Sequence, residues 1–372
     1  MKVIIAAAQT GGHINPGIAI ANKIKQENKN AEIMFIGTTR GLENDLVPRA
    51  GFELKTIEAY GINRKISIEN IKNMFKTLRG FSEAKKIVKE FNPDIVIGTG
   101  GFICGPVLLA ATKLKIPTML HESNAFPGVT TKLLSGKVDT VLLAFEDAKL
   151  RLPKAKKTVI TGTPTKVKKI ELSQMQKEKI IKGLGLKIDL PIVLVFGGSQ
   201  GAKSINSCLI DIIESKSNSN YQIIWASGPK QYDIIKENLK DKKINIDKID
   251  NIKILPYIYN MEEMMNLADI IISRSGAMTI TEIAKCGKPA IFIPFPFATE
   301  NHQEYNAKVL ENVGAAKIIL DKDLNKITLT NTLNEILNDK SCIMKMGQNA
   351  NKVAIDDVED KIYDEIEKLI KL

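Results

Sequence analysis

The sequence predicts an α/β protein built from two nucleotide-binding-type domains of parallel sheet, facing each other across a substrate cleft. Three observations carry this. Twice an apolar, strand-like run empties into a paired-glycine loop and then a helix, in KVIIAAAQTGGHINPG from Lys2 and in PIVLVFGGSQGAKSIN from Pro191. These units lie about half a chain apart, and 372 residues suffice for about two domains with their own cores. Several strand-like runs are continuously apolar, as in a parallel sheet covered on both faces. A strand that ends in Gly11-Gly12 or Gly197-Gly198 just before a helix leaves backbone N–H groups at a positive dipole end, with no side chain in a ligand's way. Such a loop can hold a phosphate.

The elements follow in order. Strands are predicted at Val3–Ala8, Glu32–Ile36, Ile95–Ile97, Thr118–Leu120 and Thr140–Leu143. Gly37 follows the second, and Gly98-Thr99-Gly100-Gly101 the third, along the carboxyl edge where open α/β sheets bind ligands. Thr163-Pro164-Thr165 breaks helix and strand alike, which sets the first domain at 1–163 and the second at 164–348. Strands of the second are predicted at Ile192–Phe196, Tyr221–Trp225, Ile252–Leu255, Ile270–Ile272 and Pro289–Ile293. Residues 349–372 read as one amphipathic helix, with Ile355, Val358, Ile362, Ile366, Leu369 and Ile370 near one face, expected to pack back on the first domain.

Composition narrows the function. The formal net charge of +11 suits nucleic acid, an anionic membrane surface or a polyphosphate substrate. Nearly all of that charge is lysine, and scattered lysine is usually a solvated face. One tryptophan and a 5% aromatic share argue against a stacking platform for single-stranded nucleic acid. Cys104, Cys208, Cys286 and Cys342 lie far apart without metal-ligand spacing and read as buried thiols of a reducing compartment. The apolar run after Lys2 is too short for a signal peptide, and no run is long enough to span a bilayer.

Six segments carry chemistry. In QTGGH, His13 projects beside the paired glycines just ahead of a helix that Pro16 can start; it can take a proton from a sugar hydroxyl or merely cap the helix. GTGGFICGP (Gly98–Pro106) and HESNAFPG (His121–Gly128) follow strands of the first domain. Glu122 and Asn124 there suit sugar hydroxyls, although HESN also reads as a plain turn. GGSQGA places Ser199 at an N-cap position, free to serve the helix or a phosphate oxygen, and it is neither a Walker loop nor a dinucleotide fingerprint. SRSGAMTITE puts Arg274 and the amides of Ser275-Gly276-Ala277 at a helix start, with Glu282 two turns in. That suits a diphosphate and a ribose, or else Thr279–Glu282 is a capping box and Arg274 a surface ion pair. The loop from Pro294 to Ala307 carries His302 and Gln303, so all three histidines (His13, His121, His302) are expected on strand-end loops. Asp321-Lys322-Asp323 has the pattern of a metal-holding pair but is expected to be a solvated turn away from both glycine loops, and no metal site is expected.

With TGGHINPG, GTGGFICGP, LHESNAFPG, FGGSQGAKSIN, SRSGAMTITEIA and the 294–307 loop in this order, the chain resembles the GT-B glycosyltransferases, and among them the N-acetylglucosaminyltransferases of peptidoglycan synthesis. The resemblance covers nearly the whole length. It implies GT-B architecture: two Rossmann-like parallel-sheet domains facing across a cleft. It implies transfer of N-acetylglucosamine from UDP-GlcNAc, with inversion, to the C4 hydroxyl of the muramyl sugar of undecaprenyl-linked lipid I, giving lipid II. Residue by residue, it implies that Thr10, Gly11, Gly12 and Asn124 touch the sugar side of the donor and that Ser199 meets the diphosphate. Ile258 would hold uracil through its backbone. Arg274 and Gly276, then Ala277, Met278, Thr279, Ile280, Thr281 and Glu282, would cover phosphate and ribose, and Gln303 the transferred sugar. His13 would be the general base, with Gly100, Gly101, Phe102 and Glu122 on the acceptor side. Lys166 stands where the family usually has arginine and lacks the planar two-pronged contact. Phe102 stands where some members have tyrosine.

No cofactor and no obligatory metal is expected, because helix N-termini and a cation can stabilise the leaving diphosphate. The expected partners are UDP-GlcNAc, lipid I, an anionic membrane surface and cell-wall synthesis proteins, with no nucleic acid, at the cytoplasmic face of the membrane as a peripheral protein. A basic amphipathic stretch with Ile71, Met74, Phe75, Leu78 and Phe81 could rest on that surface, or its apolar face is ordinary core. The rival readings are another GT-B UDP-sugar enzyme (a glycolipid transferase or a UDP-GlcNAc 2-epimerase) and a non-catalytic nucleotide-sugar or RNA-binding protein.

Overall fold

The computed structural model describes residues 1–60, 68–245 and 249–371, without the side chains of 68–76 and 78. It divides into two compact units, Met1–Thr165 with Ile355–Leu372, and Lys166–Ala354.

In the first unit the strands are β1 (Lys2–Ala7), β2 (Glu32–Gly37), β3 (Glu53–Thr56), β4 (Ile95–Gly100), β5 (Thr118–Glu122), β6 (Thr140–Leu143) and β7 (Thr158–Ile160), in the order β3-β2-β1-β4-β5-β6-β7. Every pairing is parallel. The helices are α1 (Gly11–Glu27), α2 (Glu43–Arg49), α3 (Ile68–Phe91), α4 (Cys104–Lys113) and α5 (Val129–Leu134). Alternation along β1 sends its side chains to opposite faces. Val3, Ile5 and Ala7 join Ile14, Ile20 and Ile24 of α1, whereas Ile4 and Ala6 join Val88 of α3 and Val107 and Leu108 of α4.

The second unit repeats the plan with β8 (Ile192–Phe196), β9 (Gln222–Ala226), β10 (Ile252–Leu255), β11 (Ile270–Ser273), β12 (Ala290–Phe292) and β13 (Ala316–Ile318), in the order β10-β9-β8-β11-β12-β13. All are parallel. Around them run α6 (Gln174–Gly183), α7 (Lys203–Glu214), α8 (Pro229–Asp241), α9 (Met261–Leu267), α10 (Ala277–Cys286), α11 (His302–Asn312), α12 (Lys326–Leu337) and α13 (Lys340–Val353).

Three strands had no expectation: β3, β7 and β13, each at a sheet edge. An edge strand is covered less fully, so ELKT of β3 is mostly exposed and lacks the apolar run that betrays a central strand. The single helix expected over 349–372 is two. α13 ends at Val353, the chain turns through Asp357 at φ +52°, and α14 (Val358–Ile370) begins. In the first unit Val358, Ile362 and Ile366 of α14 are buried in the core that also holds Ile14 and Ile20 of α1. Glu365 of α14 accepts from Lys157 at 2.5 Å and from Lys368 at 2.9 Å.

Candidate active site

In each sheet the strand order reverses once, between β1 and β4 and between β8 and β11. At such a switch point the adjoining loops diverge to opposite faces and leave a crevice at the carboxyl ends of the strands. The motifs gather at these two places.

At the first crevice, α1 starts earlier than expected. Thr10 is its N-cap without a side-chain hydrogen bond, so Gly11, Gly12 and His13 form the first turn and Pro16 lies inside the helix. His13 Nδ1 lies 3.2 Å from the Ala8 carbonyl oxygen. A carbonyl only accepts, so this contact assigns a proton to Nδ1, and in the neutral ring that leaves the lone pair on Nε2, the tautomer a general base needs. The ring rests on the β4–α4 loop. A Cβ on Gly100, whose φ is +127°, would lie 2.3 Å from His13 Cδ2, so only glycine leaves room for the imidazole. Thr99 Oγ1 donates to the His13 carbonyl at 2.8 Å, tying α1 to β4.

Several expected ligands of this unit prove to be internal supports. His121 lies within β5, is 1% exposed and bonds the Gly162 carbonyl through Nε2 at 2.9 Å. Burial holds its pKa below the usual histidine value. Glu122 is also buried. It accepts from the Asn124 backbone and side chain, each at 2.9 Å, from Gly128 N at 2.9 Å and from Thr131 Oγ1, and so folds the HESNAFPG loop instead of meeting a sugar hydroxyl. A short polar loop with a carboxylate at its start saturates that carboxylate with its own amides. Asn124 is half-buried with its amide nitrogen turned to Glu122. Phe102 and Phe81, both half-buried, pack against the apolar core that holds Val107 and Leu108 of α4, which accords with the ordinary-core alternative for Phe81. Ile71, Met74, Phe75 and Leu78 belong to α3, and their side chains lie outside what the structure describes.

At the second crevice, α7 starts at Lys203 with Ala202 as N-cap, so Ser199 is an exposed turn residue three positions earlier, not the cap. Gly201 N donates to the Gly198 carbonyl at 3.0 Å and closes the turn. Gly276 caps α10 without a side chain, so no capping box forms on Thr279. The α10 amides from Ala277 onward therefore open the helix, Thr281 Oγ1 bonds the Ala277 carbonyl at 3.1 Å, and Met278, Thr279 and Glu282 are half-buried. Ile280 is core, leaving only its backbone for a ligand. Ile258 follows β10 with its side chain buried between exposed Tyr257 and Tyr259. Gln303 bonds Phe295 N through Oε1 at 2.9 Å, and its carbonyl accepts from Ser275 Oγ at 2.8 Å. Lys166 is exposed at the start of the unit, and His302 opens α11 with Nδ1 on the Thr299 carbonyl at 2.8 Å.

Arg274 and Asp321 correct two expectations together. Arg274 Nη1 pairs with Asp321 Oδ1 at 2.5 Å and donates to the carbonyls of Ile293 and Pro294 at 3.0 and 3.1 Å. Its Nη2 donates to Ser204 Oγ at 2.9 Å, and Ser204 Oγ in turn donates to Asp321 at 2.7 Å. Asp321 is thus no solvated turn: it ties the loop after β11 to the first turn of α7. The guanidinium braces both helix starts instead of offering its fork to a diphosphate. Burial pushes the thiols of Cys104, Cys208 and Cys286 up to about 12, and all four cysteines are free.

Residues 3–143 match the glycosyltransferase family 28 N-terminal domain, and residues 192–362 match its C-terminal domain. The chain belongs to glycosyltransferase family 28. An Acetivibrio thermocellus relative named UDP-N-acetylglucosamine--N-acetylmuramyl-(pentapeptide) pyrophosphoryl-undecaprenol N-acetylglucosamine transferase is 44% identical over 372 residues, covering 100% of this chain and 99% of its own. The crystal structure of Acinetobacter baumannii MurG superposes with a TM-score of 0.79 at 29% identity over 99% of both chains. A Listeria monocytogenes putative UDP-N-acetylglucosamine 2-epimerase shares the fold at a TM-score of 0.69 but only 16% identity, over 100% of this chain and 96% of its own. The two parallel-sheet units of this family 28 member are those of the GT-B fold, and fold alone does not separate transferase from epimerase.

Proposed function

We propose that this enzyme transfers N-acetylglucosamine from UDP-GlcNAc to the C4 hydroxyl of the muramyl sugar of undecaprenyl-pyrophosphoryl-MurNAc-pentapeptide, with inversion. The full-length identity to the Acetivibrio thermocellus transferase supports the substrates. The observation that carries the mechanism is the His13 imidazole, protonated at Nδ1 by its bond to Ala8 and seated on Gly100 at a switch point. His13 Nε2 takes the acceptor hydroxyl proton as the oxygen bonds to the anomeric carbon, and the bond from that carbon to UDP breaks on the opposite face. UDP leaves with the bonding pair. In this reading the second unit holds the donor. The amides opening α10 and the Ser199 turn before α7 meet the diphosphate, with Lys166 as a point charge, while Ile258, Glu282 and Gln303 take uracil, ribose and sugar. Thr10, Gly11, Gly12 and Asn124 are read as contacts of the transferred sugar. No metal step is needed.

Among the described residues no helix is long and apolar enough to cross a membrane. The undecaprenyl acceptor places the reaction at a membrane surface, which the protein meets peripherally from the cytoplasmic side. The test is UDP release from UDP-GlcNAc with and without a lipid I analogue, for wild type and His13→Ala, with EDTA as a further arm. Acceptor-dependent, EDTA-resistant release that falls about 100-fold or more in His13→Ala, with donor binding retained, supports the scheme. Donor turnover without acceptor supports an epimerase, and full activity in the variant removes His13 as the base.

A further inference from the structure

Glu43 opens α2, lies outside every motif noted above and is 0% exposed. Its Oε1 accepts from Thr38 N at 2.8 Å and from Thr38 Oγ1 at 2.7 Å. Its Oε2 reaches across to the neighbouring loop and accepts from Gln9 N at 2.9 Å. Leu42 N answers in the other direction, toward the Gln9 carbonyl at 3.5 Å. The loop between β2 and α2 is shaped around this carboxylate: a Cβ on Gly41 would fall 1.9 Å from Glu43 Oε2.

The bond to Gln9 matters because of which peptide it grips. The N–H of Gln9 and the carbonyl of Ala8 belong to one planar peptide unit. That carbonyl is the acceptor for His13 Nδ1, and it also takes Thr10 N at 3.2 Å. Gln9 sits at φ +81°, a left-handed conformation that a non-glycine residue holds only when its surroundings impose it. One end of the peptide is therefore held by a buried carboxylate, and the other end holds the catalytic ring.

We infer that Glu43 is a positioning residue for His13, acting through the Ala8–Gln9 peptide as a relay from carboxylate to N–H, carbonyl and imidazole Nδ1–H. This rests on the reading of His13 as the base. Two effects follow. The relay fixes the peptide plane, and with it the direction in which Nε2 points. A carboxylate accepting from the N–H also polarises the carbonyl, which strengthens its hold on Nδ1–H and favours the imidazolium formed when Nε2 takes a proton. The arrangement serves the purpose of a carboxylate bonded directly to a catalytic histidine, with a peptide group interposed. Three other titratable groups of the described elements packed here have their own fixed states. Cys104 on α4 is pushed up to about 12 by burial, His121 on β5 is held neutral by burial, and Glu122 is saturated by its own loop.

The test follows the His13 ring in histidine-selectively 15N-labelled protein, which has only three histidines to assign. In Glu43→Gln, if the amide oxygen stays on Thr38, the amide nitrogen faces Gln9 N–H and the relay is cut without loss of volume. The expected result is a His13 titration midpoint moved to lower pH, a mixed ring tautomer, and kcat reduced about 10- to 100-fold with little change in the KM for UDP-GlcNAc. The acid limb of the kcat profile moves down with the midpoint. In a His13→Ala background the same substitution then adds no further loss, which a merely structural role would not give. An unchanged His13 midpoint and tautomer in folded Glu43→Gln overturns the inference. Should that variant not fold, Glu43→Asp keeps the charge but withdraws it from Gln9 by one methylene, and the same ring shift, smaller, is required of it. The two readings fail separately: if His13→Ala is fully active the base assignment falls, while the ring titration still decides the relay.

Discussion

Replacing Gly100 by alanine tests whether His13 acts from the position it occupies. The new Cβ would lie 2.3 Å from His13 Cδ2, 2.9 Å from Cγ and 3.0 Å from Nε2, on a backbone at φ +127° that disfavours any side chain. Carbon contacts relax to about 3.5 Å, so the ring must retreat by roughly 1 Å or the β4–α4 loop must yield. The retreat strains the 3.2 Å bond from Nδ1 to Ala8 that sets the tautomer. Overpacking of this kind costs about 1–3 kcal/mol, which for a unit of this size lowers the melting temperature by roughly 2–12 °C. A shift of about 1 Å in a reacting group costs on the order of 100-fold in rate. The assay is acceptor-dependent UDP release, run below the variant's melting temperature, beside calorimetric titration with UDP. We expect kcat to fall about 100-fold while UDP affinity stays within about twofold, because the nucleotide is assigned to the other unit. A folded Gly100→Ala enzyme with kcat within about twofold of wild type would refute the argument that ring position at the β1–β4 switch point controls the rate.

Two further predictions concern groups that proved structural. Asp321→Asn leaves the Arg274 guanidinium with a weakened partner at a site where both side chains are largely buried, so the second unit should lose about 2 kcal/mol and the KM for UDP-GlcNAc should rise about tenfold, read by thermal melting and initial rates. Unchanged donor KM would mean that the brace between the loop after β11 and α7 does not shape the donor site. For His121, burial depresses the folded-state pKa below 6.5. The unfolded chain therefore binds the proton first, and stability is fully present above pH 6.5 and falls as pH drops below it. His121→Gln can still donate to the Gly162 carbonyl and should flatten that part of the melting-temperature profile; an equally steep profile would show that the pH dependence arises elsewhere.

What was legible in the sequence was whatever depends on near neighbours along the chain. Central strands such as β1 and β8 must be apolar on both faces, and a phosphate-type loop needs small residues between strand and helix, so KVIIAAAQTGG and PIVLVFGG announce themselves. Three of the four edge strands escaped because half of their surroundings is solvent, while β10 kept enough apolar residues in IKIL to be read. The histidine beside the paired glycines could be nominated from sequence, but its tautomer could not, since that depends on Nδ1 folding back to Ala8. Long-range partners decided the remaining roles. Glu43 meets Gln9 across 34 residues, Arg274 meets Asp321 across 47, and Ser204 meets Arg274 across 70. A carboxylate or guanidinium has the same formula whether it binds a substrate or a neighbouring loop, and burial with saturated hydrogen bonds is what separates the two. Local sequence thus determined the strands, the loops and the family motifs, while tertiary packing alone decided that Glu122, Arg274 and Asp321 support the site and that Glu43 reaches it through a single peptide.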